Sequence, residues 1–181
     1  MILTDRQIRE LVRIEPWAEY VQESGVISYG LSSMGYDVRL GTRFAEFVPN
    51  LQGYLKVIDP KQCRIDSVER REPFLLPARD TILGETLEYV WMPDDVSALC
   101  VGKSTWARCG LMLNATPIEP GWNGKITLEI TNLTAECIRL YPGEGIGQLV
   151  FFKSTERPEK TYADKKGKYQ GQSGVTGPIV R

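Results

Sequence analysis

The segment Lys125-Ile126-Thr127-Leu128-Glu129-Ile130-Thr131-Asn132 alternates apolar and polar side chains. In a β-strand its isoleucine and leucine residues fall on one face, and its threonines and Glu129 fall on the other. If the sheet is buried on both sides, Glu129 has a raised pKa, which suits a general base that also returns a proton. On a solvated sheet face it has no such role. The pattern alone leaves both interpretations open.

Eight further runs rich in Val, Ile, Tyr, Phe and Thr alternate with turn residues and predict strands. They span residues 36–40, 43–48, 54–58, 74–76, 81–89, 98–101, 137–140 and 148–152. This spacing predicts a mainly β fold, a sandwich, jelly roll or barrel. Thr4 and Gln7 fit a capping box that predicts a short N-terminal helix, and residues 104–110 are predicted to form one or two helical turns.

The composition is that of one ordinary globular domain spanning residues 1–181. Hydrophobic residues make up 42% and charged residues 25%, and 22 Lys and Arg against 23 Asp and Glu give a net charge of −1. A balanced chain has no global basic field, so we expect neither nucleic acid nor an anionic membrane as a partner. The first six residues are charged too early for a signal peptide, which predicts a cytoplasmic protein.

The residue types limit the chemistry. The chain has no histidine, and its four cysteines (Cys63, Cys100, Cys109 and Cys137) form no C-x-x-C pair. This argues against His-based catalysis, zinc ribbons and the zinc deaminase signature. A metal catalyst held by the protein would need carboxylates alone.

A cluster of polar residues follows the predicted strand at 98–101. Gly102-Lys103-Ser104-Thr105 resembles the end of a Walker A loop, but Ser97 stands where the motif needs glycine. On a helix, Ser104 and Arg108 share a face, and with Lys103 they suit an oxyanion or phosphate. A solvated helix face is the alternative.

The tail from residue 157 is polar and contains several glycines. It fits either a frayed terminus or a flexible arm, residues 157–181, that closes over an anion. In the second case glycines let backbone N–H groups approach phosphate, while Lys165, Lys166 and Lys168 supply charge.

Five segments, in order, resemble the dCTP deaminases of the trimeric dUTPase-like superfamily. They are SSMGYDVRL (32–40), GKSTWARCGL (102–111), EPGWNGKITLE (119–129), GEGIGQ (143–148) and GKYQGQSG (167–174). The resemblance implies a distorted jelly-roll subunit and a homotrimer with active sites shared between subunits. It implies conversion of dCTP and water to dUTP and ammonia, with Mg²⁺ carried on the triphosphate and no zinc.

The resemblance also implies roles for individual residues. Glu129 matches the catalytic glutamate, and Ser104 and Arg108 match polar partners of the triphosphate and the reacting centre. The backbone of Thr127 and Leu128 would read the base edge, and the 157–181 arm would close over the nucleotide. The full set implied to bind substrate is Lys103, Ser104, Thr105, Trp106, Ala107, Arg108, Thr127, Leu128, Glu129, Gln148, Tyr162, Lys168 and Gln172.

Two departures from the family pattern keep other functions open. The loop at 113–117 is shorter than in many members, and Pro117-Ile118-Glu119 replaces the aspartate turn with which dUTPases activate water. Glu119 is one methylene longer, which would misplace that water. A bifunctional enzyme forming dUMP, a plain dUTPase and a nucleotide-binding regulator without turnover are the alternatives.

Overall fold

The computed structural model describes residues 1–180. Over these residues the chain forms short helices at two places and a large set of strands. In chain order the elements are α1 (Asp5–Leu11), β1 (Arg13–Glu15), β2 (Gly30–Ser32), β3 (Gly35–Val48), β4 (Asn50–Gln52), β5 (Leu55–Val57), β6 (Arg64–Glu69), β7 (Phe74–Leu76), β8 (Thr81–Trp91), β9 (Val96–Gly102), α2 (Ser104–Arg108), β10 (Leu111–Asn114), β11 (Asn123–Asn132), β12 (Ile138–Leu140) and β13 (Gly145–Lys153).

One large antiparallel sheet forms the body of the molecule. Its strands run in the order β10-β11-β8-β3-β13-β9, with β1 added to β8 and with β2 and β6 added to β3. The strands at the two ends, β9 and β10, also pack against each other, so the sheet curls into a nearly closed barrel. The predicted mainly β fold, with a short N-terminal helix and a short internal helix, is confirmed.

Strand β3 joins two of the predicted strands into one. The sequence places a break at Gly41 and Thr42, but β3 runs through both residues and shifts register against β8 between Leu40 and Phe44. Gly41 is required by close approach, because a Cβ there would lie 2.7 Å from the Cγ of Glu85. A glycine that resembles a turn signal therefore lies inside a strand, at a bulge.

Other strands were not predicted, among them β6 and β10. Strand β6 is mostly exposed and polar, with half-buried Ile65 and Val68, and pairs with the far half of β3. Strand β10 has four residues and pairs with the end of β11. Both depend on a partner distant in sequence, which local propensity does not reveal.

The core fixes β11 in place. Leu128 and Ile130 are fully buried, and Ile126 is 4% exposed, whereas the polar residues of β11 between them are half-buried. The alternation predicted from the sequence therefore orients β11, and it directs the side chains of Thr127 and Glu129 away from the core. No helix within residues 1–180 has the length and apolar character needed to span a bilayer.

Candidate functional site

A cavity of about 530 Å³ opens beside β11. It is lined mainly by β11, the loop at 116–119 and the C-terminal tail, and Phe47 from β3, Leu83 from β8 and Trp122 complete the wall. The polar side chains that line it are Thr116, Glu119, Thr127, Glu129, Lys168, Gln172 and Thr176, with aromatic Trp122, Tyr162 and Tyr169 among the remainder. A cavity with a largely apolar wall and a few polar groups is typical of a small-molecule site.

Glu129 projects from β11 into this cavity. It lies opposite Leu83 on β8 and opposite Asn114 on β10. Its Oε2 accepts a hydrogen bond from Asn114 Nδ2 at 2.9 Å. Burial raises the pKa of Glu129 above its ordinary value, and the Asn114 hydrogen bond opposes that shift. Of the two interpretations of this residue, the partly buried carboxylate is the one found.

The edge of β11 is free beside Glu129. Pairing with β10 ends at Asn114 and Glu129, and the tail meets β11 again at Lys125, whose N–H donates to the Gln172 carbonyl at 2.9 Å. Thr127, which lines the cavity, has no register partner in β10 or in the described part of the tail, and the tail contacts only its side chain, through Thr176 N–H and Gln172 Nε2 to Thr127 Oγ1. Leu128 is fully buried, so only its backbone is available to a ligand.

The tail brings three of the predicted residues to the cavity. Tyr162 N–H donates to the Pro120 carbonyl at 2.9 Å, and its hydroxyl accepts from Tyr169 N–H at 3.0 Å. Gln172 Nε2 donates to the Lys125 carbonyl at 2.5 Å. Lys168 Nζ donates to the carbonyl of Ile179. Tyr162, Lys168 and Gln172 therefore share one cavity with Thr127 and Glu129.

The remaining predicted residues lie elsewhere. Lys103 precedes α2, and Gln148 lies on β13; neither they nor the residues of α2 line the cavity. On α2, Ser104 and Arg108 are exposed, as are Thr105 and Ala107. Trp106 is buried and its Nε1 donates to the Gly145 carbonyl at 2.8 Å, so its indole anchors α2 to the barrel.

A buried carboxylate links Lys103 and Gln148. Asp37 on β3 is 4% exposed, and its Oδ2 accepts from Lys103 Nζ. Its Oδ1 accepts from Gln148 Nε2 at 3.0 Å. Lys103 Nζ also donates to Ser28 Oγ at 3.3 Å, and Gln148 Nε2 to Ser32 Oγ at 3.1 Å. This network ties the start of α2 to the barrel.

The structure adds Asn114, which contacts Glu129 and which the sequence did not single out. It also pairs two residues that the sequence considered separately, because Lys165 forms an ion pair with Glu119, a residue of the cavity wall. Asp37 lies within the SSMGYDVRL segment, so a signal for it existed, but its partners are distant in the chain. Nothing local marks Asn114, because its role depends on the β10–β11 register.

Residues 2–154 match a family model described as dCTP deaminase-like. The chain is 46% identical over 183 residues to a dCTP deaminase of Erythrobacter litoralis, covering 98% of each chain. It is 48% identical over 169 residues to a dCTP deaminase of Campylobacter jejuni, covering 92% of this chain and 89% of that protein.

Two solved structures share the fold. The 2′-deoxycytidine 5′-triphosphate deaminase from Agrobacterium tumefaciens matches with a TM-score of 0.61 and 20% identity over 84% of this chain. This chain spans 48% of that longer one. The native EIAV dUTPase matches with a TM-score of 0.51 and 17% identity, over 83% of this chain and 94% of that one. At these identities the likeness shows the fold alone.

Proposed function

This chain belongs to the dCTP deaminase-like family, and from that premise we propose that it hydrolyses dCTP at C4 of the cytosine ring, releasing ammonia and dUTP. The observation that carries the proposal is the half-buried carboxylate of Glu129, held at the wall of a cavity beside the free edge of β11. Relatives at 46% and 48% identity that are named dCTP deaminases support the choice of substrate.

Glu129 acts as the general base and then as the general acid. Its carboxylate takes a proton from a water molecule, and the hydroxide bonds to C4. Glu129 then returns that proton to N3, which gives a tetrahedral intermediate. The proton of the new C4 hydroxyl passes through Glu129 to the amino group, the C4–N4 bond breaks, and ammonia leaves.

The apolar wall of the cavity favours proton transfer by Glu129. A partly buried carboxylate holds its proton more readily than an exposed one, which suits a group that must both accept a proton and return it. The free backbone at Thr127 supplies a donor and an acceptor for the edge of the base, and the catalytic gain comes from fixed positions and dipoles.

The triphosphate is held by cations from two places. Lys168 lies at the cavity and Arg108 lies on α2, so a single chain does not gather them, while Lys103, which precedes α2, is already paired with buried Asp37. We propose that α2 of one subunit completes the cavity of its neighbour in a homotrimer. Exposed Leu99, Val101 and Met112, on the two strands that flank α2, favour a subunit contact there. Mg²⁺ enters on the substrate and screens charge between the phosphates.

Glu119 is a second carboxylate in the wall of the same cavity, and it bears on whether the chain also hydrolyses dUTP. Hydrolysis of dUTP to dUMP would need Glu119 to activate the attacking water. Its ion pair with Lys165 opposes that role, because the carboxylate is already committed to a cation. Ammonia without pyrophosphate supports a deaminase, both products together support a bifunctional enzyme, and pyrophosphate alone supports a dUTPase.

The test is incubation with dCTP and Mg²⁺, with ammonia and pyrophosphate measured separately. Glu129→Gln should bind dCTP and keep its fold while kcat falls by about 10²–10⁴-fold. Glu136→Gln, which changes an exposed glutamate, is the matched control and should leave kcat unchanged. No ammonia from the unaltered protein would reject the activity, and near-normal turnover by Glu129→Gln would reject its assigned base.

A further inference from the structure

Asn114 contacts the carboxylate of Glu129 from the neighbouring strand. It is the last residue of β10 and is paired in register with Glu129. Its Nδ2 donates to Glu129 Oε2 at 2.9 Å. The next cross-strand pair on this face of β11, the hydroxyls of Thr81 and Thr131 at 3.0 Å, shows that such side-chain contacts recur along the strand.

In this contact Asn114 can only donate. The lone pair of a carboxamide nitrogen is delocalised and does not take a proton, so Asn114 cannot compete with Glu129 as a base. Donation to Oε2 fixes one carboxylate oxygen, which leaves Oε1 for water. A hydrogen bond to the charged form also stabilises the carboxylate against its own burial.

Other ionisable groups lie near the site. Cys100 on β9 is buried, and this burial, together with the charge of Glu129, raises its pKa to about 12, so its thiol is neutral. Glu119, Tyr162, Lys168 and Tyr169 line the cavity from the loop and the tail. On β11, Lys125 is paired with Glu85 on β8. None of these ionisable side chains donates a hydrogen bond to the Glu129 carboxylate, whereas the Asn114 side chain does.

We propose that Asn114 is a positioning residue for the general base: it orients the Glu129 carboxylate toward water and holds it in the ionised form. The proposal rests on the proposed function, in which Glu129 is the base. A purely structural role, in which the contact only joins the end of β10 to β11, predicts a change in stability with no change in the proton-transfer step.

The experiment compares Asn114→Ala and Asn114→Asp with Thr131→Val. Asn114→Ala removes the donor, and the isosteric Asn114→Asp replaces it with a second carboxylate that repels the first. Thr131→Val is the matched control, because it removes a cross-strand hydrogen bond from the same face of the same strand without touching Glu129. The readouts are kcat and KM for dCTP as functions of pH, with circular dichroism to confirm the fold.

In a plot of kcat against pH, both Asn114 variants should shift the acidic limb to higher pH, because the Glu129 carboxylate loses a hydrogen bond that stabilises it. Asn114→Asp should shift the limb further than Asn114→Ala. Their kcat on the plateau should fall about tenfold or more, with a smaller change in KM. Thr131→Val should keep the limb and kcat of the unaltered protein. An Asn114→Ala or Asn114→Asp enzyme with an unchanged limb and plateau would overturn the proposal.

A second measurement separates this proposal from the proposed function. NMR titration of the Glu129 carboxyl, assigned by its loss in Glu129→Gln, reports its pKa without any turnover. A raised pKa in Asn114→Ala supports the contact even if the chain deaminates nothing. An unchanged pKa, in a protein that does deaminate dCTP through Glu129, contradicts the role of Asn114 alone.

Discussion

The backbone N–H of Lys125 donates to the carbonyl of Gln172 at 2.9 Å, so the C-terminal tail is hydrogen-bonded to the edge of β11. In the opposite direction, Gln172 Nε2 donates to the Lys125 carbonyl at 2.5 Å. Trp122 Nε1, just before β11, donates to the Tyr169 carbonyl at 2.9 Å. The tail up to Gln172 is therefore tied to the barrel at the cavity.

Beyond Gln172 the tail first contacts Arg43, whose Nη1 donates to the Ser173 carbonyl at 3.4 Å, and then lies over the cavity. Thr176 N–H donates to Thr127 Oγ1 at 3.2 Å, and Gly177 and Pro178 line the wall. We expect deletion of residues 173–181 to raise KM for dCTP about tenfold or more, because a closing segment is lost, while Tm changes little. Deletion of residues 164–181 should lower Tm as well, since it leaves the Trp122 N–H without its partner.

Enzyme kinetics and thermal unfolding on the two deletions check this prediction together. An unchanged KM in the shorter deletion would show that residues 173–181 do not cover the substrate. A Tm loss as large as that of the longer deletion would show instead that these residues support the fold.

Glu129 should make stability depend on pH. Its pKa is raised by burial, so the folded protein binds this proton more tightly than the unfolded chain does. The stability that the carboxyl contributes is therefore present below its unfolded pKa and is lost as pH rises through its folded pKa. Glu129→Gln has no such loss, so Tm of the variant minus Tm of the unaltered protein should increase as pH rises from the unfolded pKa of the carboxyl through its raised folded pKa.

Thermal unfolding at several pH values measures this difference. Glu136→Gln, at an exposed site, should give a difference that is flat with pH. A difference for Glu129→Gln that is also flat, or that decreases with pH, would mean that Glu129 titrates like a solvated glutamate.

A buried ion pair near the N-terminal segment should matter for stability and not for catalysis. Glu88 is fully buried and contacts Arg39 at 2.6 Å, and neither residue lines the cavity. Glu88→Ala removes the carboxylate that accepts from Arg39, but the Arg39 side chain is 15% exposed and still donates to the Pro16 carbonyl, so the loss should be roughly 1.5–3 kcal/mol. Urea unfolding measures that loss. KM for dCTP should stay within about twofold at a temperature where the variant is folded, and a large rise in KM would place this pair in the binding machinery.

The sequence predicted the parts of this molecule that follow from local pattern. Strict alternation in β11 orients Glu129 correctly, and the capping residues Thr4 and Gln7 mark the start of α1, where Gln7 Oε1 accepts from Thr4 N–H at 3.1 Å. Both features depend on neighbours within a few residues.

The contacts that the sequence did not predict depend on pairing between segments that are distant in the chain. The Asn114 contact requires the β10–β11 register, and the Asp37 contact with Lys103 joins residues 66 positions apart. The separation of the cavity from α2 is likewise a property of the closed barrel. The motif match groups Ser104, Arg108 and Glu129 as one site, whereas one chain places them in two.

That separation gives a direct test of shared active sites. If the cavity of one subunit uses α2 of its neighbour, Glu129→Gln and Arg108→Ala damage different halves of each site. Each variant alone should be nearly inactive. In mixed trimers, an Arg108→Ala subunit still supplies Glu129, and an adjacent Glu129→Gln subunit still supplies Arg108.

Coexpression of the two variants with different affinity tags, followed by two-step purification, isolates the mixed form of the proposed trimer. Each mixed trimer, whether 2:1 or 1:2, would have about one restored site in three, so activity well above that of either parent is expected. Glu129→Gln coexpressed with itself under both tags is the control and should stay inactive. Mixed trimers without activity, formed from variants that each assemble, would show that Glu129 and Arg108 serve the same site within one subunit. An Arg108→Ala protein that is active by itself would show that Arg108 takes no part.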